Sequence, residues 1–172
     1  MNIWLFGYGS LMWRPDFDYL DRKAARLHGW QRRFWQGSHD HRGLPHAPGR
    51  VVTLIETTGY CDGVAFLVEA AVAAETFEHL DHREKNGYQR IDAELGFRNG
   101  EVVSGIVYVA SPENHAFLGP ASLREMAHQI HRSRGPSGTN REYLTRLADT
   151  LRDLEMADHH VFELEAAVNG RQ

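Results

Sequence analysis

Short apolar runs, rich in β-branched and aromatic residues, fill the first two thirds of the chain and are separated by Gly, Pro, Asn or Asp. Runs of this kind are typical of β-strands. The pattern predicts strands at Ile3–Phe6, Trp30–Gln36, Arg50–Glu56, Gly63–Glu69, Tyr88–Phe97 and Val102–Ala110. Asn99 and Gly100 stand between the last two strands and predict a hairpin turn there.

Other segments repeat their apolar residues at helical spacing. The pattern predicts helices over Ala71–Lys85 and Ser122–Arg132, a third helix capped by Asn140, and a short last helix capped by Asp158. Together these elements predict an α+β fold: a mostly antiparallel β-barrel or sheet with helices packed around it and a helical C-terminal third. The 172 residues contain no repeat and no low-complexity linker, so we expect a single domain over residues 1–172.

The predicted helix Ala71–Lys85 places one acidic residue among apolar ones. At about 100° per residue, Glu84 falls in the same arc of roughly 60° as Ala73, Phe77 and Leu80. Burial raises the pKa of a carboxylate, and a group with a raised pKa can exchange protons near neutral pH. Glu84 is also close to the helix end, where it could reach water or pair with an arginine, so helix position alone leaves both interpretations open.

A glycine-rich turn follows the first predicted strand, with the sequence Phe6-Gly7-Tyr8-Gly9-Ser10-Leu11. Glycine lets a ligand or another backbone come close, and consecutive N–H groups in such a bend can bind an anion. The third glycine of a dinucleotide fingerprint, the lysine of a phosphate loop and the glycine spacing of a nucleophile elbow are all missing from this stretch. Taken alone, it is better explained as an ordinary strand-to-loop turn.

Composition argues against several classes of function. The formal net charge is −4 and no run of Lys and Arg is long, which argues against nucleic-acid binding. With no long apolar run, no secretory signal and Cys61 as the single cysteine, we expect a cytoplasmic protein without a membrane partner. The eleven histidines include His39, His41 and His46 in one loop, but no spacing is that of a zinc site. We expect no metal and no cofactor.

Several further blocks, taken with the turn and with Arg83-Glu84-Lys85, resemble one family. They are, in order, Arg32-Arg33-Phe34-Trp35-Gln36-Gly37-Ser38, Asp40-His41-Arg42-Gly43, Pro48-Gly49-Arg50-Val51-Val52-Thr53-Leu54, Gly87-Tyr88, Phe117-Leu118-Gly119-Pro120, Gly135-Pro136-Ser137-Gly138-Thr139-Asn140 and Glu142-Tyr143-Leu144. In number and order these blocks resemble the ChaC family of glutathione-specific γ-glutamylcyclotransferases, over nearly the whole chain. Phe117 departs from the family, which often has Tyr at that place.

The resemblance implies a γ-glutamylcyclotransferase fold and a carbon–nitrogen lyase that cleaves glutathione to 5-oxoproline and cysteinylglycine. It implies that Glu84 is the catalytic acid–base. It also implies that the turn Phe6–Leu11 holds the γ-glutamyl group through backbone groups, and that Tyr143 helps to hold the substrate. Because the substrate's own α-amine would attack its γ-carbonyl, this chemistry needs no enzyme nucleophile and no metal.

Selecting glutathione among γ-glutamyl compounds requires contacts to cysteinylglycine, for which Arg42, Arg50 and His41 are candidates. Three alternatives remain open at this stage. The same cyclotransferase chemistry could act on other γ-glutamyl compounds, or the chain could be a non-catalytic binding or regulatory module that kept the pocket. A metal-dependent hydrolase built on the histidine-rich loop is the third, and activity that survives a chelator would remove it.

Overall fold

The computed structural model describes residues 1–83 and 87–170, which fall into two compact units. The first unit comprises Met1–Gln31 and Leu54–Asn114, and the second comprises Arg32–Thr53 and His115–Gln172. The strands β2 and β3, defined below, each run from one unit into the other.

Five strands form a closed barrel in the order β1-β3-β2-β4-β5. Their bounds are β1 Ile3–Gly7, β2 Asp21–Ser38, β3 Gly49–Val68, β4 Tyr88–Phe97 and β5 Val102–Ala110. The pairs β1–β3, β2–β4 and β4–β5 are antiparallel, as the sequence predicted for most of the sheet. The pair that closes the barrel, β1–β5, is parallel, with Trp4 opposite Gly105.

The predicted bounds of β4 and β5 are confirmed, and so is the hairpin between them, where Gly100 has φ +91°. The prediction was wrong in dividing β3 into two strands. Gly63 was taken as a strand end, but β3 continues through it. Residue 63 is a glycine because the backbone of β1 comes very close there. A Cβ atom at residue 63 would collide with the carbonyl oxygen of Gly7 and lie 2.8 Å from the Phe6 ring.

The first unit has a core formed by β1, β3, β5 and the helix α1, Ala70–Arg83. The predicted apolar stripe is confirmed for Ala73, Phe77 and Leu80, which are all buried in one cluster. Leu5 and Leu11 are buried in the same cluster. Glu84 and Lys85, the last residues of the predicted helix, lie outside the described residues.

The second unit contains α2 Leu123–Arg132, the two-stranded ribbon of β6 Arg134–Gly135 and β7 Gly138–Thr139, α3 Asn140–Asp153 and α4 His159–Asn169. The three helices pack against one another. None of the helices in residues 1–83 and 87–170 is long and apolar enough to cross a membrane.

Each of the three helices of the second unit has an N-terminal side-chain cap. Ser122 and Glu125 form a capping box at α2, and Asp158 accepts the N–H of Val161 at α4, which confirms the predicted Asp158 cap. The prediction of an Asn140 cap was wrong by one residue. Thr139 caps α3 by accepting the N–H of Glu142, and Asn140 has a different task that is described below.

A buried polar group anchors α4 to β2. The Arg32 side chain is buried and its Nη1 lies 2.6 Å from Asp158 Oδ2. Two residues further along the chain, His160 Nε2 accepts the backbone N–H of Phe34 at 3.0 Å. Burial, and then the positive charge of Arg33, lower the pKa of His160 to about 4. The imidazole is therefore neutral at neutral pH, as its acceptor role requires.

Candidate active site

The glycine turn joins β1 to a short 3-10 helix, Ser10–Met12. Phe6, Tyr8 and Leu11 are buried and fasten the turn to the first unit. Gly9 and Ser10 are the half-buried part of the turn, so this is where a ligand can approach the backbone. The structure thus brings six of the predicted site residues, Phe6 to Leu11, into one bend.

Three N–H groups of the bend already have partners inside it. Those of Met12, Trp13 and Arg14 donate to the carbonyl oxygens of Gly9 or Ser10 at 2.8–3.2 Å. The role of the turn in binding a carboxylate or an oxyanion through its backbone stays a prediction.

Close packing, and not a positive φ angle, explains why Gly7 is a glycine in this turn. A Cβ atom at residue 7 would lie 3.0 Å from Leu11 Cβ and 3.4 Å from the Phe66 ring. On its other side, the Gly7 carbonyl oxygen occupies the space that a side chain at Gly63 would need. The backbone of the turn is therefore packed tightly on two sides. Such packing fixes the position of a backbone that has to orient a ligand.

The Tyr8 side chain ties the turn to β5. Its hydroxyl donates to the backbone oxygen of Tyr108 at 2.6 Å, and both rings are buried. The Tyr108 hydroxyl in turn lies 2.6 Å from Asp81 Oδ1 on α1. Tyr108 of β5 thus hydrogen-bonds to both the turn and α1 within the first unit.

Sequence reasoning missed Tyr108 and Asp81. Asp81 follows Phe77 by four residues, so it lies roughly 40° from Phe77, beside the edge of the apolar stripe, and this spacing could have revealed it. The predicted catalytic residue Glu84 lies outside the described residues, three positions beyond Asp81 in the chain.

Tyr143, the remaining predicted site residue, lies on α3 in the second unit and is 6% exposed. Its hydroxyl accepts the backbone N–H of Val52 at 3.3 Å. The ring packs edge-on against Phe34, with centroids 5.9 Å apart, and the Arg42 guanidinium carbon lies 5.9 Å from the ring centroid. The hydroxyl is thus held in a fixed position beside the backbone of β3.

Arg42 and Arg50, suggested as contacts for cysteinylglycine, are both buried and have structural partners. Arg42 pairs with Glu142 at 2.9 Å and donates to the carbonyl oxygen of Thr139. The hydrogen bond from Arg42, and then that from Arg146, hold the pKa of Glu142 below its usual value.

Arg50 donates to the carbonyl oxygens of Phe34 and Gly119 at 2.9 and 3.1 Å, and to the Gln129 side chain at 2.7 Å. Burial lowers the pKa of this guanidinium. Because its donors serve neutral oxygens within the second unit, Arg50 fixes backbone segments there, and we assign it no substrate contact.

Asn140, the first residue of α3, binds a distant strand and does not cap the helix. It is fully buried, and its amide bonds both backbone groups of Arg50: Oδ1 accepts the N–H and Nδ2 donates to the carbonyl oxygen, each at 2.8 Å. The sequence blocks Pro48–Leu54 and Gly135–Asn140, which carried the family resemblance, are thus hydrogen-bonded to each other.

The histidine-rich loop shows separate environments for its members. His41 Nδ1 lies 3.2 Å from Ser137 Oγ, while His46 is exposed. Across the described ranges 1–83 and 87–170, no three His, Cys, Asp or Glu side chains are placed to hold a metal ion.

Solved structures define the class of this fold. A crystal structure of a γ-glutamyl cyclotransferase specific to glutathione from yeast matches with a TM-score of 0.91 and 32% identity, covering 98% of this chain and 96% of that chain. A further structure, a γ-glutamyl cyclotransferase of 14% identity, matches with a TM-score of 0.59 over 96% of this chain and 88% of its own, and so shares the fold. The chain therefore has the γ-glutamylcyclotransferase fold.

Sequence comparison identifies the family within this class. A relative from Danio rerio, glutathione-specific gamma-glutamylcyclotransferase 1, is 44% identical over 174 aligned residues, which cover 97% of this chain and 89% of the relative. The family model described as ChaC-like protein matches residues 3–171. The chain belongs to the ChaC-like family, and the resemblance noted from the sequence blocks is confirmed.

Proposed function

We propose that this protein degrades glutathione by cyclising its γ-glutamyl group, releasing 5-oxoproline and cysteinylglycine. The observation that carries this proposal is the 44% identity to a glutathione-specific γ-glutamylcyclotransferase over almost the full length of both chains. The tightly packed glycine turn at the end of β1 supports it, because the reaction depends on holding one flexible group in one conformation.

The reaction is an exchange of one carbon–nitrogen bond for another. The α-amine of the γ-glutamyl group attacks its γ-carbonyl carbon, and the bond from that carbon to the cysteinyl nitrogen breaks. One proton passes from the attacking amine to the leaving amine, so no water is consumed and no covalent enzyme intermediate forms. α-Amines titrate at about 7.7–8.0, and therefore a base that takes the proton helps the attack at neutral pH.

We propose Glu84 as the group that moves this proton. By its spacing in the sequence it falls in the same helical arc as Ala73, Phe77 and Leu80, which are buried. A carboxylate that is shielded from water can take up and release a proton near neutral pH. We propose that the turn Phe6–Leu11 holds the γ-glutamyl group through its backbone groups. Tyr143 is proposed as a further substrate contact, supported by its fixed hydroxyl.

We also propose that residues 1–172 act as one domain with a mainly helical C-terminal third. The continuity of β2 and β3 through both compact units supports this. A cytoplasmic location is proposed because the sequence contains one cysteine, Cys61, and so can form no internal disulfide.

The test measures 5-oxoproline released from glutathione by purified wild type and by Glu84→Gln, with a chelator present. We expect turnover by the wild type and a loss of a hundredfold or more, about the value of one general acid–base, in Glu84→Gln. Glu78→Gln, an exposed glutamate of α1, is the matched control and should keep wild-type activity.

Wild type that is inactive on glutathione contradicts the substrate, and a panel of γ-glutamyl amines and amino acids then tests the same chemistry elsewhere. Inactivity across that panel favours a binding module. Full activity in a folded Glu84→Gln variant contradicts the acid–base assignment but leaves the reaction in place.

A further inference from the structure

We infer that Tyr108 and Asp81 are positioning residues for the reaction, because their contact fixes the last turn of α1, which Glu84 follows directly in the chain. The inference rests on the proposed function, which gives Glu84 its catalytic role. Neither residue is assigned a contact with substrate.

The contact joins a buried phenol to a carboxylate. Tyr108 is 4% exposed, and its hydroxyl lies 2.6 Å from Asp81 Oδ1 and 3.3 Å from the carbonyl oxygen of Phe77. A phenol donates a single hydrogen, so the shorter bond, to the charged acceptor, is the principal one. It holds α1 at a point three residues before Glu84.

A second residue from the neighbouring strand holds the same part of α1. Arg90 on β4 stands directly opposite Tyr108 on β5. Its Nε lies 3.4 Å from Asp81 Oδ1, and its guanidinium carbon lies 5.5 Å from the Phe77 ring centroid. Two neighbouring strands therefore contact the same two helix residues, one turn apart, and this restricts both rotation and sliding of α1.

Tyr108 also contacts the glycine turn, since its backbone oxygen accepts a hydrogen bond from the Tyr8 hydroxyl at 2.6 Å. The proposed substrate cradle and the helix that leads to the proposed acid are thus both attached to one residue of β5. A shift at this residue changes the distance between them. A displacement of about 1 Å in a reacting geometry is worth roughly a hundredfold in rate.

The experiment compares kcat and KM for 5-oxoproline release in variants of the full chain. Tyr108→Phe removes the donor, and Asp81→Leu removes the acceptor at a half-exposed position that should still fold. We expect each to lower kcat about tenfold to a hundredfold, with KM within about threefold of wild type. The double variant should be no worse than Asp81→Leu alone, because that substitution already removes the bond from the Tyr108 hydroxyl.

Two further variants separate positioning from general damage. Asp81→Asn keeps an acceptor for the Tyr108 hydroxyl and should restore kcat to within about threefold of wild type. Tyr60→Phe is the matched control: Tyr60 is 47% exposed, and its hydroxyl has no hydrogen bond to the described part of the chain. It should leave kcat and KM unchanged.

The outcomes separate this inference from the proposed function. An inactive wild type overturns the proposed function, and this inference with it. Active wild type with wild-type kcat in Asp81→Leu overturns the inference alone, whether or not Tyr108→Phe folds. Asp81→Asn as impaired as Asp81→Leu also overturns it, since the hydrogen bond would then not be the reason for the loss.

Discussion

Replacing Asn140 by Ala tests the clamp that holds the start of α3 to β3. The substitution removes two hydrogen bonds of 2.8 Å from a side chain that is 0% exposed. It leaves the N–H and the carbonyl oxygen of Arg50 without this partner in the interior. Each buried polar group that loses its partner costs about 1–3 kcal/mol, so we expect the free energy of unfolding to fall by about 3 kcal/mol.

Urea denaturation followed by circular dichroism measures this loss, with an unchanged slope against denaturant showing that the comparison is valid. For a chain of this size, 3 kcal/mol corresponds to a fall in Tm of roughly 6–12 °C. Asn140→Asp should be at least as unstable, because it keeps the acceptor for the Arg50 N–H but sets an oxygen against the Arg50 carbonyl oxygen. Asn169→Ala is the control, an exposed asparagine that accepts one bond from Arg141.

The control should stay within about 0.5 kcal/mol of wild type. A loss below about 1 kcal/mol in Asn140→Ala would refute the reasoning, since the two bonds would then be replaced by water at little cost. So would an Asn140→Asp variant as stable as wild type, because the clamp would then not depend on the amide donor.

The remaining predictions concern a buried histidine, a strand glycine and a helix cap. The pKa of His160 lies below its unfolded value, so its stability contribution is complete above about pH 6.5 and is lost as pH falls toward 4; His160→Gln should remove about 2 kcal/mol of the difference in unfolding free energy between about pH 7 and pH 5. Unfolding curves of wild type and variant at the two pH values check this, and an equal fall in unfolding free energy between the two pH values in both proteins would contradict it. Gly63→Ala forces a Cβ against the Gly7 carbonyl oxygen and should cost about 2 kcal/mol or more and impair 5-oxoproline release. Gly96→Ala, where the new Cβ would lie 3.7 Å from its nearest neighbour, should stay within about 1 kcal/mol, and equal losses in the two variants would argue against the collision. Ser122→Ala removes the capping box of α2 and should lower the free energy of unfolding by about 1 kcal/mol in the same denaturation assay, with no change in KM; an unaltered midpoint would contradict the cap.

The parts of the fold that follow from periodicity were accessible from the sequence. The buried stripe of Ala73, Phe77 and Leu80 follows from helical spacing alone. The hairpin of β4 and β5 follows from two apolar runs around Asn99-Gly100. In both cases neighbours in the chain are neighbours in space, so local pattern is sufficient.

The parts of the fold that depend on partners distant in the chain could not be predicted from the sequence. Gly63 reads equally well as the end of a strand or as a place where another backbone comes close, and only the position of Gly7 decides between them. Asn140 can cap a helix or bond a distant backbone, and its choice depends on Arg50, far away in the chain.

The candidate site divides in the same way. The bend Phe6–Leu11 was visible from its glycines. Its attachment through Tyr108 to Asp81 joins residues on β1, β5 and α1, and no spacing in the sequence encodes that meeting.

The parallel pairing of β1 with β5 has a consequence for how the chain is made. β1 leaves the ribosome before the other four strands of the barrel and can pair with β3 once Val68 has emerged, but Trp4 has to wait for Gly105 before its other side is covered. At about 5–20 residues per second, that last interval is roughly 2–7 s for a nascent chain. During it, β1 presents an uncovered backbone edge on which a neighbouring chain can add a strand. Crowding of ribosomes on one messenger should therefore lower the yield of folded protein, and slower initiation should restore it.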